Sequence, residues 1–507
     1  MTASATQTVP IAGREPGPAR GSRRALASGG RFHCLWPALL TLLIGLYRSG
    51  RPALWPDELV TVSAARRSTA ELFDLLGHVD AVTGAYYLLI HCWIGLFGDS
   101  QAMLRLPSAL AMAGAAAFVV LTGERLFGRR AALVAGTLFA LLPSVSRYAQ
   151  EARGYAFAVL AVSAATWLLL RAVDRPRPLR WAVYGCAVSA AGIFHLVSLV
   201  FLAAHGVVVL ARWWRLRRHA VPGQGLAGFW AAAVAGLLPV LPLALLGRRQ
   251  VGRQLAWLEA PTLRYVVDVF WRSLFGSTAV SLVVLALAVL PLAWSRGRRP
   301  AYEIGLMAVL PIVLIWLVSQ GTTAYFLDRY LLFTLPAWAV LAGAGLTALR
   351  PRWLAPLGLV LVLIAGLGEQ RSSREPFART NWDAKSAAAV IAQGYRPGDG
   401  LVALRGSTLA FLQVDTAIRY HLPPAVEPKD VLVARSAERI GDIYPQLCPD
   451  PVACIGNTPR VWVVATGSSV DKPLGEYGAP QADALAALFP RRTVTAVPGM
   501  IVTLLER

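Results

Sequence analysis

Apolar runs alternate with short arginine clusters from Leu35 to Leu367, and this alternation constrains the fold more than any motif does. An apolar run of about 20 residues can cross a bilayer as a helix, and interfacial aromatics and arginines shorten that requirement. The 507 residues are 56% hydrophobic and 15% charged, with a mean hydropathy of +0.53. A soluble domain carries about a quarter charged residues, so the composition points to a polytopic membrane protein. The net charge of +21 would suit nucleic acid, yet the basic residues sit between apolar runs, where they mark cytoplasmic loops. No nucleic-acid partner is expected.

Met1 to Arg31 is polar and basic, and no small-residue cleavage site follows the first apolar run. Residues 1–33 are therefore expected to form a disordered cytoplasmic tail. Basic clusters at 124–130, 171–180, 212–219, 296–299 and 350–352 should also be cytoplasmic. That requirement decides one ambiguous segment. Two apolar runs, Ala85 to Phe97 and Leu104 to Leu121, precede the 124–130 cluster, and an odd number of crossings is needed. The first run is shorter and interrupted by His91, Cys92 and Gly95, so it is read as an amphipathic helix in the outer interface. About eleven transmembrane helices then fill residues 34–368, and residues 369–507 form an extracytoplasmic domain.

The composition after Arg371 is that of a soluble α/β domain. Strands are expected at Gly400–Leu404, Val431–Ala434, Arg460–Ala465 and Ile501–Leu505, and helices at Trp382–Tyr395 and Ala482–Leu488. The domain has no Walker motif, no G-x-G-x-x-G and no metal-ligand cluster. Cys448 and Cys454 flank a short loop, and outside the cytoplasm a disulfide is expected there. Cys34, Cys92 and Cys186 are expected only to pack.

Ionisable groups beside apolar spans are costly, so their places carry information. Asp57 and Glu58 follow the first span, and His78 and Asp80 lie further along the same outer segment. Arg147 to Tyr155 (RYAQEARGY) forms the next outer loop, and His195 ends a later span. Arg248, Arg249, Arg253, Gln254 and the Asp328-Arg329-Tyr330 run complete the set. On the topology above, every one faces the outer side.

This pattern resembles the GT-C superfamily of membrane glycosyltransferases. The nearer resemblance is to the protein O-mannosyltransferases and the bacterial transferase that adds aminoarabinose to lipid A. It rests on Asp57-Glu58, the run from Tyr86 to Gly98 (YYLLIHCWIGLFG), Arg105 to Leu110 (RLPSAL), Arg125 to Arg130 (RLFGRR) and the Arg147–Tyr155 loop. Beyond Leu170 it thins to His195, Gln254, Trp257 and Arg329 to Pro336 (RYLLFTLP). The resemblance implies a sugar, mannose by default, carried on a polyprenyl phosphate. It implies inverting transfer at the outer face to an acceptor glycan, lipid or protein, with membrane lipid as surroundings.

Under that resemblance Asp57 is the general base for the acceptor hydroxyl. Glu58 is a second catalytic acid, and its role stays open between holding a metal, orienting Asp57 and touching the acceptor. Glu151 matches another acidic position, though many relatives have Asp there, and a salt bridge with Arg147 or Arg153 is the alternative. Arg329, Arg153, Arg248 and Arg249, with His195 and Tyr330, are candidates to bind the donor phosphate. Interfacial snorkelling would also explain Arg329, and interface anchoring His195. His78, Asp80, Tyr86 and Gln254 are auxiliary or acceptor-side candidates. The resemblance fixes no cofactor; a divalent metal on His78, Asp80 and Glu58 is compatible with the residue types. Trp257 and Trp271 are expected in the aromatic belt. A non-catalytic scaffold or sensor built on the C-terminal domain is the rival reading. A transporter fits less well, since no internal repeat is evident.

Overall fold

The computed structural model describes residues 32–216, 224–293, 298–407 and 410–507. The N-terminal tail, Trp294, and parts of the basic clusters at 212–219 and 296–299 lie outside the described residues. The apolar segments between Leu35 and Leu367 are helical over most of their described residues. Among the described residues, seven helices are long and apolar enough to cross a membrane, and up to nine if each of two bent pairs counts as a single span. Leu35–Leu46 and Pro178–Phe194 are shorter, with 12 and 17 residues. The chain is a multi-pass membrane protein.

One bend bears on the site. Helix Arg129–Leu141 gives way to Pro143–Ala149 at an angle of 63°. Pro143 has no N–H to continue the ladder, and Leu142 before it is extended at φ −64°, ψ 127°. The second piece delivers Arg147 and the turn 150–153 beside the first outer helix.

The basic loops gather at one end of the bundle. Arg125 pairs with Asp174, Arg212 with Asp174 and Glu303, and Arg130 donates to the Arg352 carbonyl. These contacts join the loops that the charge pattern placed on a common side.

At the opposite end, helices Pro56–Ala65, Thr69–His78 and Gly84–Phe97 form a layer beneath the C-terminal domain. Gly84–Phe97 has 14 residues, about 21 Å at helical rise, short of the hydrocarbon core. Its start packs on Leu76, and Asp99 just past its end accepts from Arg66 and from the Tyr420 hydroxyl of the C-terminal domain. Both ends face the same layer, so the helix does not cross. His91 fastens it by bonding the Ala65 carbonyl and Thr69.

The C-terminal domain holds a five-stranded sheet in the order Lys429–Asp430, Gly400–Ala403, Arg460–Thr466, Met500–Glu506, Arg491–Val497. The first three strands are parallel and the last two antiparallel. Two expectations change. The segment near Val431 divides between edge strand Lys429–Asp430 and a separate ribbon at Val433–Arg435. Arg491–Val497 is an added strand with an exposed face that its arginines and threonines disguised. Cys448 and Cys454 are joined in a disulfide with Cα atoms 6.5 Å apart. Cys92 and Cys186 are exposed rather than packed.

The domain shares an apolar core with the outer helices. Leu54, Leu59, Val62, Tyr86, Ile90 and Ala152 pack in one cluster with Trp382, Ile391, Leu401, Val414, Trp462 and Val502. Burial of that kind contributes about 25 cal/mol per Å² of apolar surface. It fixes the domain over the outer loops.

Candidate active site

Pro56 opens a helix at its first position, where a missing N–H costs nothing, and Asp57 and Glu58 occupy the first turn. The helix N-terminus favours negative charge there. A helical step of one residue then sends the two carboxylates in different directions.

Glu58 points into the protein and is fully buried. Arg105 grips it with two bonds, Nε to Oε1 at 2.8 Å and Nη2 to Oε2 at 2.6 Å. The Ala152 amide donates to Oε1 at 2.9 Å and Arg379 Nη1 to Oε2 at 3.3 Å. Burial would raise its carboxyl pKa, but Arg105 and Arg379 outweigh it and hold the group below the usual range. With four donors on two oxygens, Glu58 has no room for a metal or an acceptor. Of the roles left open for Glu58, its contacts fit orienting Asp57, since they tie the Pro56 helix to the second outer loop.

Asp57 points outward, its side chain 21% exposed, with Arg329 Nη2 at 3.9 Å from Oδ2. Arg329 enters from the turn Asp328–Thr334. Its guanidinium lies 5.4 Å from the Trp55 ring centroid, 5.8 Å from that of Trp257 and 6.0 Å from that of Tyr330. Trp257 therefore borders the Arg329 side of the candidate site. Trp271 packs on Trp338 and Phe275 away from it.

Glu151 is 1% exposed, and neither carboxylate oxygen has a hydrogen-bond partner. Burial holds its pKa above the ordinary range, while Arg147 and Arg379 pull it down. No salt bridge with Arg147 or Arg153 forms. His195, extended at the end of its helix, meets Tyr330 and Tyr155 edge-on at 5.0 and 5.7 Å. Burial, then Arg153 and Arg329, push its imidazole down to about 3, so it is neutral.

Asp80 forms a neighbouring knot. Its left-handed backbone, φ 55°, turns the carboxylate toward Thr83, Tyr87 and Gln254, with Arg153 Nη1 at 3.8 Å. Arg153 also donates to the Tyr87 hydroxyl at 3.0 Å. Gln254 thus acts by holding Asp80.

Four expectations do not hold. His78 is exposed, bonds the Asp74 carbonyl and packs on Gly441 of the C-terminal domain. Tyr86 is core: its hydroxyl meets Ser108 and its ring packs on Phe157. Arg248 and Arg249 are exposed and among the described residues form no ion pair, while Gln250 turns inward to bond Ala81 and Leu76. The set His78, Asp80 and Glu58 is not assembled, and among the described residues no group of three or more His, Cys, Asp or Glu could hold a metal.

Arg105 and Arg379 escaped the sequence reading. Arg105 opens the RLPSAL motif among apolar residues, and a charge in that apolar setting was the available signal. Arg379 lies in the segment between the last span and the first helix of the C-terminal domain, where no motif or periodicity singles it out.

The family model described as dolichyl-phosphate-mannose-protein mannosyltransferase matches residues 84–242. The crystal structure of ArnT from Cupriavidus metallidurans in the apo state superposes with a TM-score of 0.62 at 15% identity, covering 93% of this chain and 97% of that one. The structure of ArnT bound to undecaprenyl phosphate gives 0.57 at 16% identity, covering 94% and 98%. No curated protein matches the chain. The chain therefore has the GT-C fold of membrane glycosyltransferases, and its residues 84–242 carry the protein mannosyltransferase family's model.

Proposed function

We propose that this protein is a glycosyltransferase that moves a sugar, mannose by default, from a polyprenyl-phosphate donor to an acceptor hydroxyl at the outer membrane face, with inversion. The observation that carries the reading is the meeting of Asp57 and Arg329, from distant stretches of chain, at the end of the bundle away from the basic loops.

Asp57 is partly exposed, with Arg329 in ion-pair range and Arg153 within electrostatic reach, which suits a base. It takes the proton of the acceptor hydroxyl as that oxygen bonds to the anomeric carbon. The bond from that carbon to the phosphate oxygen breaks, and its electron pair leaves with the lipid phosphate. Arg329, with Arg153 behind it, stabilises the growing charge. His195 stays neutral between them and can donate or accept without adding charge.

In-line displacement places an acceptor oxygen, the anomeric carbon and the leaving oxygen between base and arginine, a span of roughly 7 Å. The 3.9 Å pair must therefore open to admit the donor. The orientation that follows is N-terminus cytoplasmic and C-terminal domain extracytoplasmic. The test offers purified protein a panel of polyprenyl-phosphate sugars and measures sugar transfer or release. A donor consumed by the wild type and spared by Asp57→Asn supports the reading; no turnover with any donor removes it.

A further inference from the structure

We propose that Arg379 is a positioning residue, joining the strap that leads into the C-terminal domain to the acidic half of the site and setting the environment of Glu151.

The strap, residues 373–383, is docked along its length. Arg374 donates to the carbonyls of Ile44 and Tyr47 at 2.9 and 3.2 Å, and the Pro376 carbonyl accepts from Ala53 at 2.8 Å. Asp383 N bonds the Pro498 carbonyl at 2.9 Å, within the turn before the last strand. Between these anchors Arg379 turns inward until its side chain is 2% exposed. One terminal nitrogen reaches Glu58 and the other the Arg147 carbonyl, each at 3.3 Å. The guanidinium thus bridges the Pro56 helix and the Arg147–Ala152 loop, the two pieces that carry Asp57 and Glu151.

The groups facing Glu151 are Arg147 and Tyr148 on its own loop, Glu58 and Tyr86 on the outer helices, Arg329 and Arg379. Arg105 is spent on Glu58. Arg379 is thus a cation close to both carboxylates, and removing one partner from a buried charged cluster leaves the remaining charge uncompensated. Glu151, which no hydrogen bond stabilises, then takes up a proton more readily.

The experiment titrates the protonated-carboxyl infrared band of the full purified chain, with Glu151→Gln identifying the band. In Arg379→Met its midpoint should rise by about one pH unit or more, and Arg379→Lys should restore most of the shift. Arg379→Gln, which keeps a donor for Glu58, serves if the methionine variant does not fold. An unchanged midpoint in the neutral variants overturns the proposal. The kinetic arm rests on the transferase reading. With a donor that the wild type consumes, Arg379→Met should lower turnover on the order of a hundredfold, with its carboxyl-controlled pH limb moved upward and donor KM little changed. Unchanged turnover overturns the proposal too. A wild type that consumes no donor, with the infrared shift present, defeats the transferase reading and leaves the role of Arg379 standing.

Discussion

Asp57 and Glu58 are neighbours in the chain, yet one carboxylate faces solvent beside Arg329 while the other is sealed under four hydrogen-bond donors. The first turn of a single helix thereby separates an available charge from a structural one.

That separation predicts opposite phenotypes. Arg105→Ala leaves Glu58 buried without its main partner and should destabilise the protein by about 3–5 kcal/mol, whereas Asp57→Asn should leave the melting temperature nearly unchanged. Thermal melts in detergent check both. Arg105→Ala melting like wild type would mean that the pair does not hold the outer layer together.

His195 gives a pH signature. Its folded pKa, about 3, lies below the unfolded value of 6.5. Below pH 6.5 the unfolded chain takes up a proton that the native imidazole refuses, so stability falls as pH drops toward 3. His195→Gln should flatten this part of the stability profile, as read by melts at about pH 7 and pH 5. An identical slope in the variant would show that folding does not shift the His195 pKa.

The helical rhythm, the non-crossing Gly84–Phe97 segment and most of the C-terminal strands were legible because apolar periodicity and charge parity act locally. The placing of Asp57, Arg153, Glu151, His195 and Arg329 toward one end of the bundle followed from charge parity, whereas the meeting of Asp57 with Arg329 is a tertiary relation that no local pattern encodes. The division of labour was not legible. Glu58 and Asp57 differ only in which way one helical step points them, and Tyr86 and Tyr87 likewise: the first meets Ser108, the second Asp80 and Arg153. His78 looked like a ligand because sequence does not reveal that its side chain turns outward to the Asp74 carbonyl. Arg379 was hidden because a strap that docks by backbone hydrogen bonds has the composition of a loop.

Orientation can be checked with cysteines in a background lacking Cys34, Cys92 and Cys186. Ala425→Cys, exposed in the C-terminal domain, should react with a membrane-impermeant thiol reagent in intact cells, and Arg129→Cys should not. Labelling of Arg129→Cys alone would put the Asp57 site on the cytoplasmic face.

Arg329 and Asp57 should separate donor binding from chemistry. Arg329→Ala should weaken binding of undecaprenyl phosphate, because the arginine is the cation nearest the proposed base and is flanked by aromatic rings. Retention of full affinity would move the phosphate site elsewhere, with Arg153 the next candidate.

The most direct measurement compares wild type and Asp57→Asn in single-donor transfer assays, with undecaprenyl phosphate binding measured on the same preparations. Loss of the base should lower turnover on the order of a hundredfold or more, with binding kept or improved, since Arg329 is released from its carboxylate partner. An Asp57→Asn protein that binds the lipid phosphate and transfers sugar at the wild-type rate would contradict the assignment of Asp57 as the base.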